Sequence, residues 1–329
     1  MNPIKLAILV LLGVLVSCGN KSEKSDKTTE SNTAQEIVCP MFVGDSAYLF
    51  VEQQVAFGPR VPGSDAHKQC RDFLRERFLA YGAEVVVQEG SETLYDGTKL
   101  PLYNIIASYN TEATKRIVVC SHWDSRPFAD HDPNVEHRNQ PILGANDGAS
   151  GVGVLLELAR LFQQESPSVG IDLICFDLED WGAPEHAESV KEDTWCLGSQ
   201  YWARHPHQTN YRANFGILLD MVGAPDAVFY REQISDYFAP GVVDKIVQTA
   251  EKMGYGSRFL NEIGGAVTDD HLYVNRIARI PMADIIQFSP RSETGFGAYW
   301  HTLNDNMNNI SPNTLEMVGN VLVHIIYNE

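Results

Sequence analysis

Helical and strand-like segments alternate along most of this chain, and that alternation restricts the folds that it can adopt. Apolar residues recur at helical spacing in four segments: 64–81, 149–164, 241–253 and 312–327. Short apolar runs typical of buried strands accompany them: residues 83–88, 102–109, 116–121, 170–178, 214–221 and 281–287. We therefore predict an α/β fold, in which a central mixed, mostly parallel and twisted sheet is flanked by helices on both faces.

The composition is that of a soluble globular protein with one large folded unit. Of the 329 residues, 44% are hydrophobic and 21% are charged, which is enough to build a well-buried core. No internal repeat or second linker interrupts residues 37–329, so we predict a single α/β domain there. The net charge of -18 argues against nucleic acid or an anionic membrane surface as the main partner.

The N-terminus has the pattern of an export signal. Lys5 precedes an apolar run, residues 6–16, which is shorter than the roughly 20 residues that a membrane-spanning helix needs. The tetrad Leu15-Val16-Ser17-Cys18 resembles a bacterial lipobox, in which Cys18 would carry the lipid. A plain secretory signal with an incidental cysteine is the alternative.

The polar residues 18–36 favour the lipoprotein, because such a tether would hold a domain away from a membrane. We predict a signal peptide over residues 1–17, a tether over residues 18–36, and a lipid-anchored protein on the periplasmic or another extracytoplasmic face.

The other cysteines do not form a recognisable metal or disulfide pattern. No CxxC pair is present, which argues against a zinc–thiolate site. Cys120 and Cys175 lie in strand-like runs, where cysteine usually acts as a small hydrophobic residue. A single disulfide remains open, and the sequence does not choose its partners among these cysteines: Cys39, Cys70, Cys120, Cys175 and Cys196.

Acidic and histidine side chains follow several strand-like runs at the point where each run ends. They are His122 and Asp124 after residues 116–121, Glu179 and Asp180 after residues 170–178, and Asp220 after residues 214–219. Asp147 precedes the helix predicted over residues 149–164, and His301 lies near the C-terminus. Because ligands of such sheets gather at the carboxyl ends of the strands, we expect these side chains to lie close together.

Glu179 and Asp180 are adjacent carboxylates, which repel each other unless something positive lies near them. Zinc favours imidazole and carboxylate ligands when thiolates are absent, and catalytic zinc sites combine about three protein ligands with an open position. Asp147, Asp180 and His301 would supply that set, and Glu179 would remain available as a general acid/base.

Each of these residues also has an ordinary structural explanation. Asp147 could cap the helix that follows it, and Asp220 could cap a turn. His301 could be a hydrogen-bonded histidine of the surface or core, and His122 and Asp124 could be a hydrogen-bonded loop pair. The set lacks a short-range spacing such as HExxH, so the pattern alone leaves the metal site open.

A larger set of motifs, in this order, carries a family resemblance. The motifs are His122-x-Asp124, the GANDG stretch of residues 144–148, Glu179-Asp180, LLDMVGAP (218–225), TDDHLYV (268–274) and YWHTLNDN (299–306). The set resembles the zinc aminopeptidase superfamily. More narrowly, it resembles the zinc-dependent glutaminyl-peptide cyclotransferases of the animal type, which also occur as bacterial lipoproteins. The resemblance extends from about Phe57 to the C-terminus.

The resemblance implies one catalytic zinc per chain, held by Asp147, Asp180 and His301, with Glu179 as the general acid/base. Asp180 stands where many relatives have glutamate. Its shorter side chain should draw the metal closer to the strand end.

The remaining roles also come from the resemblance. Asp220 and Asp269 would complete a carboxylate network around Glu179, while Trp300 and Trp195 would form the pocket for the substrate side chain. His122 and Asp124 would support the site without binding the metal.

The activity that the resemblance implies is the conversion of an N-terminal glutamine of a peptide or protein into pyroglutamate, with release of ammonia. The α-amine attacks the side-chain carbonyl, zinc polarises that carbonyl, and Glu179 moves a proton from the amine to the departing nitrogen. Peptides and proteins with an N-terminal glutamine are therefore the expected partners.

Two other functions remain open on the same residues. A dinuclear zinc aminopeptidase shares the fold, and His122, Asp147 and Asp220 are available for a second metal. A metal-free binding lipoprotein would normally lack a ligand or the base, and this chain lacks neither.

Overall fold

The structure is a computed structural model that describes residues 39–184 and 193–329. Cys18, the predicted signal peptide over residues 1–17 and the predicted tether over residues 18–36 lie outside the described residues, so these assignments stay predictions. Within the described ranges, no helix combines the length and apolar character needed to cross a membrane.

The described strands form one large sheet and one small sheet. The strands are β1 (Glu84–Thr93), β2 (Lys99–Tyr109), β3 (Arg116–His122), β4 (Gly170–Phe176), β5 (Phe215–Asp220), β6 (Phe229–Arg231), β7 (Phe259–Ile263) and β8 (Met282–Ile286). The large sheet has the order β1-β2-β4-β3-β5-β8. Its pairs are antiparallel at β1–β2 and β2–β4, and parallel at β4–β3, β3–β5 and β5–β8. The predicted mixed, mostly parallel sheet is therefore confirmed.

The described helices include the four that periodicity predicts. The helices are α1 (Gly44–Val55), α2 (Asp65–Ala80), α3 (Ala149–Gln164), α4 (Leu197–Arg204), α5 (Gln233–Phe238), α6 (Pro240–Lys252), α7 (Asp270–Tyr273) and α8 (Pro312–Tyr327). Helices α2, α3, α6 and α8 lie within one residue of their predicted bounds.

Helix α1 lacks the local start signal that sequence reasoning uses. Its N-cap residue, Val43, makes no side-chain capping hydrogen bond. Instead, Glu157 Oε1 accepts from the Val43 N–H at 3.2 Å, and Glu316 Oε2 accepts from the Gly44 N–H at 3.4 Å. These acceptors lie on α3 and α8, so the start of α1 depends on tertiary packing.

Both faces of the sheet are covered, as the alternation along β3 shows. Ile117 and Val119 belong to the core cluster that contains residues of α1, α3 and α8. Val118 and Cys120 belong to the cluster on the other face, with Trp202 of α4. This two-sided burial leaves the carboxyl edge of the sheet available for a site.

The cysteines of the sheet and its covering helices are reduced. Cys70, Cys120, Cys175 and Cys196 are buried free thiols, so none of them forms a disulfide in this structure.

Candidate metal centre and active site

The parallel strands β3 and β5 bring two of the predicted side chains together. His122 is the last residue of β3, Asp220 is the last residue of β5, and the two strands are neighbours. His122 Nε2 lies 3.2 Å from Asp220 Oδ1 and 3.0 Å from Asp147 Oδ1. Asp220 therefore interacts directly with His122, beyond any role in the turn that follows it.

Strand β4 ends two residues earlier than predicted, at Phe176. The chain turns at Leu178, whose φ is 54°, a left-handed conformation that an L-residue rarely adopts. Asp124 Oδ1 and Oδ2 each accept a hydrogen bond at 3.2 Å from the backbone N–H groups of Glu179 and Asp180, respectively. Asp124 thereby holds the backbone of the carboxylate pair, which lies in the loop after the strand.

Asp147 is held in a loop before α3. The N-cap residue of α3 is Gly148, with φ 95°, and no side chain caps this helix. The alternative explanation, in which Asp147 caps the helix, is therefore not what the structure shows. The N–H groups of Asn146 and Asp147 donate to the two carboxylate oxygens of Asp305, at 2.8 and 3.0 Å. A Cβ at Gly148 would lie 2.9 Å from His122 Cε1, which explains the need for glycine.

Asp147, Asp180 and His301 form a buried group whose ligand atoms lie within 4.8 Å of one another. His301 Nε2 lies 3.3 Å from Asp180 Oδ1 and 3.5 Å from Asp147 Oδ2. Asp180 Oδ2 is buried and has no hydrogen-bond partner within the described residues, whereas Oδ1 also lies 3.6 Å from Arg126 Nη1. Buried anionic oxygens without partners are unfavourable, so this donor set fits a zinc ion.

A second group of possible ligands shares Asp147 with the first. His122, Asp147 and Asp220 are buried, and their ligand atoms also lie within 4.8 Å of one another. Burial opposes the charged imidazolium, but hydrogen bonds with Asp124, Asp147 and Asp220 outweigh it and raise the pKa of His122 well above its ordinary value. The imidazole therefore occupies the space between the acids as a hydrogen-bonded group.

Glu179 is buried among acidic groups. Its Oε1 lies 3.2 Å from Cys196 Sγ, and its Oε2 lies 3.8 Å from His122 Nδ1. Glu179, Cys196 and Asp269 form a group within 4.8 Å. Burial raises the pKa of Glu179 well above its ordinary value; His122 opposes this shift, and Asp269 adds to it. A carboxyl whose pKa is raised by burial is a candidate for proton transfer.

The candidate site opens into a cavity of about 280 Å³. Its lining combines Glu179, Asp180 and His301 with the aromatic rings of Trp195 and Trp300. The Trp300 ring stacks on His301 with centroids 3.7 Å apart, and the Trp195 ring lies parallel to His301 at 6.3 Å. The volume is near the lower limit of small-molecule pockets, which suits one bound side chain.

Arg126 is a site residue that sequence reasoning missed. Its Nε donates to Asp130 Oδ1 at 2.8 Å, and its Nη1 donates to the backbone carbonyl of Asp180 at 3.0 Å. The guanidinium also lies 4.6 Å from the centroid of the Trp195 ring, and Asp130 Oδ1 is 3.5 Å from His301 Nδ1. Arg126 thus connects the candidate ligands Asp180 and His301 to the pocket aromatic Trp195. The sequence gives no sign of this role, because a single arginine belongs to no recognisable pattern.

Asp269 connects Glu179 to a further buried group of acidic and histidine side chains. The sequence predicted Asp269 but not the other members of this group. Asp284 of β8, Asp269 and His271 are buried, and their polar side-chain atoms lie within 4.8 Å of one another. His271 Nδ1 lies 3.7 Å from Asp284 Oδ2, and His271 Nε2 lies 3.0 Å from Glu232 Oε2. The TDDHLYV stretch drew attention to Asp269, but Asp284 lies among apolar strand residues and gave no signal.

Left-handed backbone conformations at residues other than glycine surround the site. They occur at Leu178, Cys196, Met221 and His301, whose φ values are 54°, 56°, 48° and 52°. These backbone conformations cost free energy and persist only where the surrounding structure enforces them, which is typical of functional sites.

Comparison with known proteins identifies the family. Residues 104–326, more than half of the chain, match the family described as Peptidase family M28. This chain therefore belongs to peptidase family M28.

Named relatives agree with the resemblance found in the sequence. The glutaminyl-peptide cyclotransferase of Bos taurus is 26% identical over 292 residues, which cover 80% of this chain and 76% of the relative. The structure of Bacteroides thetaiotaomicron glutaminyl cyclase bound to N-acetylhistamine is 52% identical; the match covers 89% of this chain and 100% of that chain, with a TM-score of 0.87.

A Zn-dependent exopeptidase from Parabacteroides distasonis is 50% identical, and the match covers 89% of this chain and 100% of that chain, with a TM-score of 0.88. The family resemblance and the predicted fold class are confirmed by these matches.

Proposed function

We propose that this protein is a zinc-dependent glutaminyl-peptide cyclotransferase, which converts an N-terminal glutamine of peptides or proteins into pyroglutamate and releases ammonia. The observation that carries this proposal is the small cavity that is lined by Glu179, by the group of Asp147, Asp180 and His301, and by two tryptophans. Relatives with the cyclase name, which include the bovine and Bacteroides proteins, support the same activity.

The donor set supports zinc as the metal. Asp147, Asp180 and His301 would hold it, because their ligand atoms converge and Asp180 Oδ2 lacks a hydrogen-bond partner in the described part of the chain. Bound there, zinc would supply Lewis acidity toward the side-chain carbonyl of the substrate.

Glu179 performs the proton transfer in this proposal. One oxygen, Oε1, faces Cys196, and the other remains to accept a proton from the α-amine of the substrate. The same oxygen then delivers the proton to the departing side-chain nitrogen. Burial raises the pKa of Glu179 well above its ordinary value, which makes its carboxylate a stronger proton acceptor than an exposed glutamate.

The aromatic walls hold the substrate folded on itself. Trp195 and Trp300 line the cavity and both stack against His301, so a flexible glutamine side chain would be confined next to its own α-amine. Confinement favours an intramolecular attack, and the apolar walls exclude the water that would compete with it. An adjoining cavity of about 910 Å³ shares Trp195 and Trp300 and offers room for the rest of the peptide.

We assign one zinc per chain to the active enzyme. His122 Nε2 lies within hydrogen-bonding distance of both Asp147 Oδ1 and Asp220 Oδ1, so an N–H group already serves the acids of the second potential site. Cyclisation needs no metal-bound hydroxide, because the nucleophile is an amine that is already part of the substrate.

We also propose that Cys18 is lipidated and that the enzyme faces the periplasm or another extracytoplasmic space. The short apolar run of residues 6–16, the lipobox-like tetrad and the polar residues 18–36 support this proposal.

The decisive experiment offers the purified protein a peptide that begins with glutamine. We expect ammonia release and a product that is blocked at its N-terminus and has lost no residue. A matched peptide that begins with leucine should remain intact.

A dinuclear zinc aminopeptidase is the second candidate, favoured by the converging group of His122, Asp147 and Asp220 and by the exopeptidase relative. Efficient release of leucine, without ammonia from the glutamine peptide, would replace the cyclase proposal with this one.

A further inference from the structure

We propose that Cys196 is a positioning residue for the reaction, whose thiol holds one carboxylate oxygen of Glu179 so that the other faces the substrate. This inference rests on the proposed function, in which Glu179 transfers the proton. Cys196 belongs to none of the motifs that carry the family resemblance, and in the sequence it is only one of several disulfide candidates.

The contact between the two side chains is direct and buried. Cys196 Sγ donates to Glu179 Oε1 at 3.2 Å, and Cys196 is fully inaccessible to solvent. Burial, followed by the negative charge of Glu179, raises the pKa of the Cys196 thiol well above its ordinary value. The thiol therefore stays protonated and remains a donor.

The backbone around Cys196 sets the reach of this thiol. The Cys196 N–H donates to the carbonyl of Glu179 at 3.0 Å, and the Leu197 N–H donates to the carbonyl of Leu178 at 2.9 Å. Cys196 and Leu178 both adopt left-handed conformations, with φ of 56° and 54°. The backbone at residues 178–179 and the backbone at residues 196–197 are thus hydrogen-bonded to each other next to the Glu179 side chain. Left-handed conformations at residues other than glycine cost free energy, and they are typical of positions where function requires the geometry.

The chemistry of a thiol suits this position. An S–H group is a weak donor, so it orients a carboxylate while leaving much of its basicity for the substrate. The alternative is simple packing, because Cys196 also belongs to a small apolar cluster with Leu272 and Tyr273. The experiment must therefore separate hydrogen bonding from volume.

Three substitutions make that separation. Cys196→Ala removes the donor and the volume, Cys196→Val restores volume without a donor, and Cys196→Ser keeps a donor. We expect kcat for ammonia release to fall about tenfold or more in the alanine and valine variants, the effect of one hydrogen bond to a charged group. KM and zinc content should stay at wild-type values, and the serine variant should recover most of the loss in kcat.

Cys70→Ala is the matched control, because Cys70 is another buried thiol and lies on α2. Its kcat should equal that of the wild type. A valine variant with wild-type kcat, or a loss that appears in KM alone, would show a packing role and overturn the inference. A serine variant as slow as alanine would overturn it as well. If the wild-type protein itself releases no ammonia from the glutamine peptide, the proposed function fails and this inference fails with it, whereas the outcomes above bear on Cys196 alone.

Discussion

Asp305 accepts a hydrogen bond from the backbone N–H of Asp147 at 3.0 Å, although 158 positions separate the two residues. The carboxylate of Asp305 is fully buried and also accepts from the Asn146 N–H at 2.8 Å. The segment that follows His301 therefore anchors the loop that carries Asp147. This contact holds two proposed zinc ligands, Asp147 and His301, close to each other.

Asp305→Ala should weaken zinc binding by about 10- to 100-fold, because groups that orient metal ligands typically contribute that much. Competition with a chelator of known affinity measures the effect. Asp72→Ala is the control, since Asp72 is an exposed carboxylate paired with Arg71. Unchanged zinc affinity in Asp305→Ala would show that the loop holds its shape without this anchor.

Glu179→Gln should lower kcat by ~10²-fold or more while the protein keeps its zinc, because the amide cannot relay a proton. Asp180→Ala should instead lose zinc and activity together. Metal analysis beside the ammonia assay distinguishes the two outcomes. Loss of zinc in Glu179→Gln with the fold intact would reverse the assignment of base and ligand.

His122 and His301 should respond differently to the same substitution. His301→Ala should lose the zinc, whereas His122→Ala should keep about one equivalent, because His122 supports the acids and does not bind the catalytic metal in this proposal. Elemental analysis of protein purified without chelators gives the number of zinc equivalents per chain in each variant. Two equivalents in the wild type, both required for turnover, would favour the dinuclear aminopeptidase.

Glu232 should make stability depend on pH in the acid range. Burial alone would raise its pKa, but bonds with His271 and with the N–H groups of Ile234 and Ser235 lower the pKa to about 2 from its ordinary value of 4.5. A lowered folded-state pKa stabilises the fold above the ordinary pKa, and this stabilisation, about 3 kcal/mol, is lost as the pH falls toward 2.

Glu232→Gln should therefore reduce the free energy of unfolding at pH 7 by about 3 kcal/mol, and the difference from wild type should shrink between pH 5 and pH 2. Denaturant titrations at several pH values measure it. Glu262→Gln, at an exposed position of β7, is the control. A constant difference across this range would mean that the charge of Glu232 does not contribute.

Cys18→Ala should leave an unprocessed precursor or release the protein from the membrane, because the lipid can then no longer be attached. Membrane fractionation and the mass of the mature protein report the result. Wild-type maturation and fractionation of the variant would point to a plain secretory signal.

The sequence by itself determined the order of the main elements and the edge of the sheet where the site lies. Periodicity placed α2, α3, α6 and α8 because their apolar residues recur at helical spacing, which is a local property of the sequence. The polar residues at strand ends identified Glu179 as a candidate in a similar way: an acidic residue directly after an apolar run marks the carboxyl end of a buried strand, where the ligands of such sheets gather.

Tertiary structure alone decided which polar groups meet. Several features of the site depend on contacts between separate segments of the chain. They are the left-handed turn at Leu178, the hydrogen bond from the Cys196 thiol to Glu179, and the contacts that link Arg126 to Asp180 and, through Asp130, to His301. A single cysteine, arginine or aspartate has no periodicity, so its partner is settled only when the sheet brings distant segments within hydrogen-bonding distance. The fold could therefore be predicted from local sequence patterns, whereas the contacts that hold the site residues in place are decided by tertiary packing.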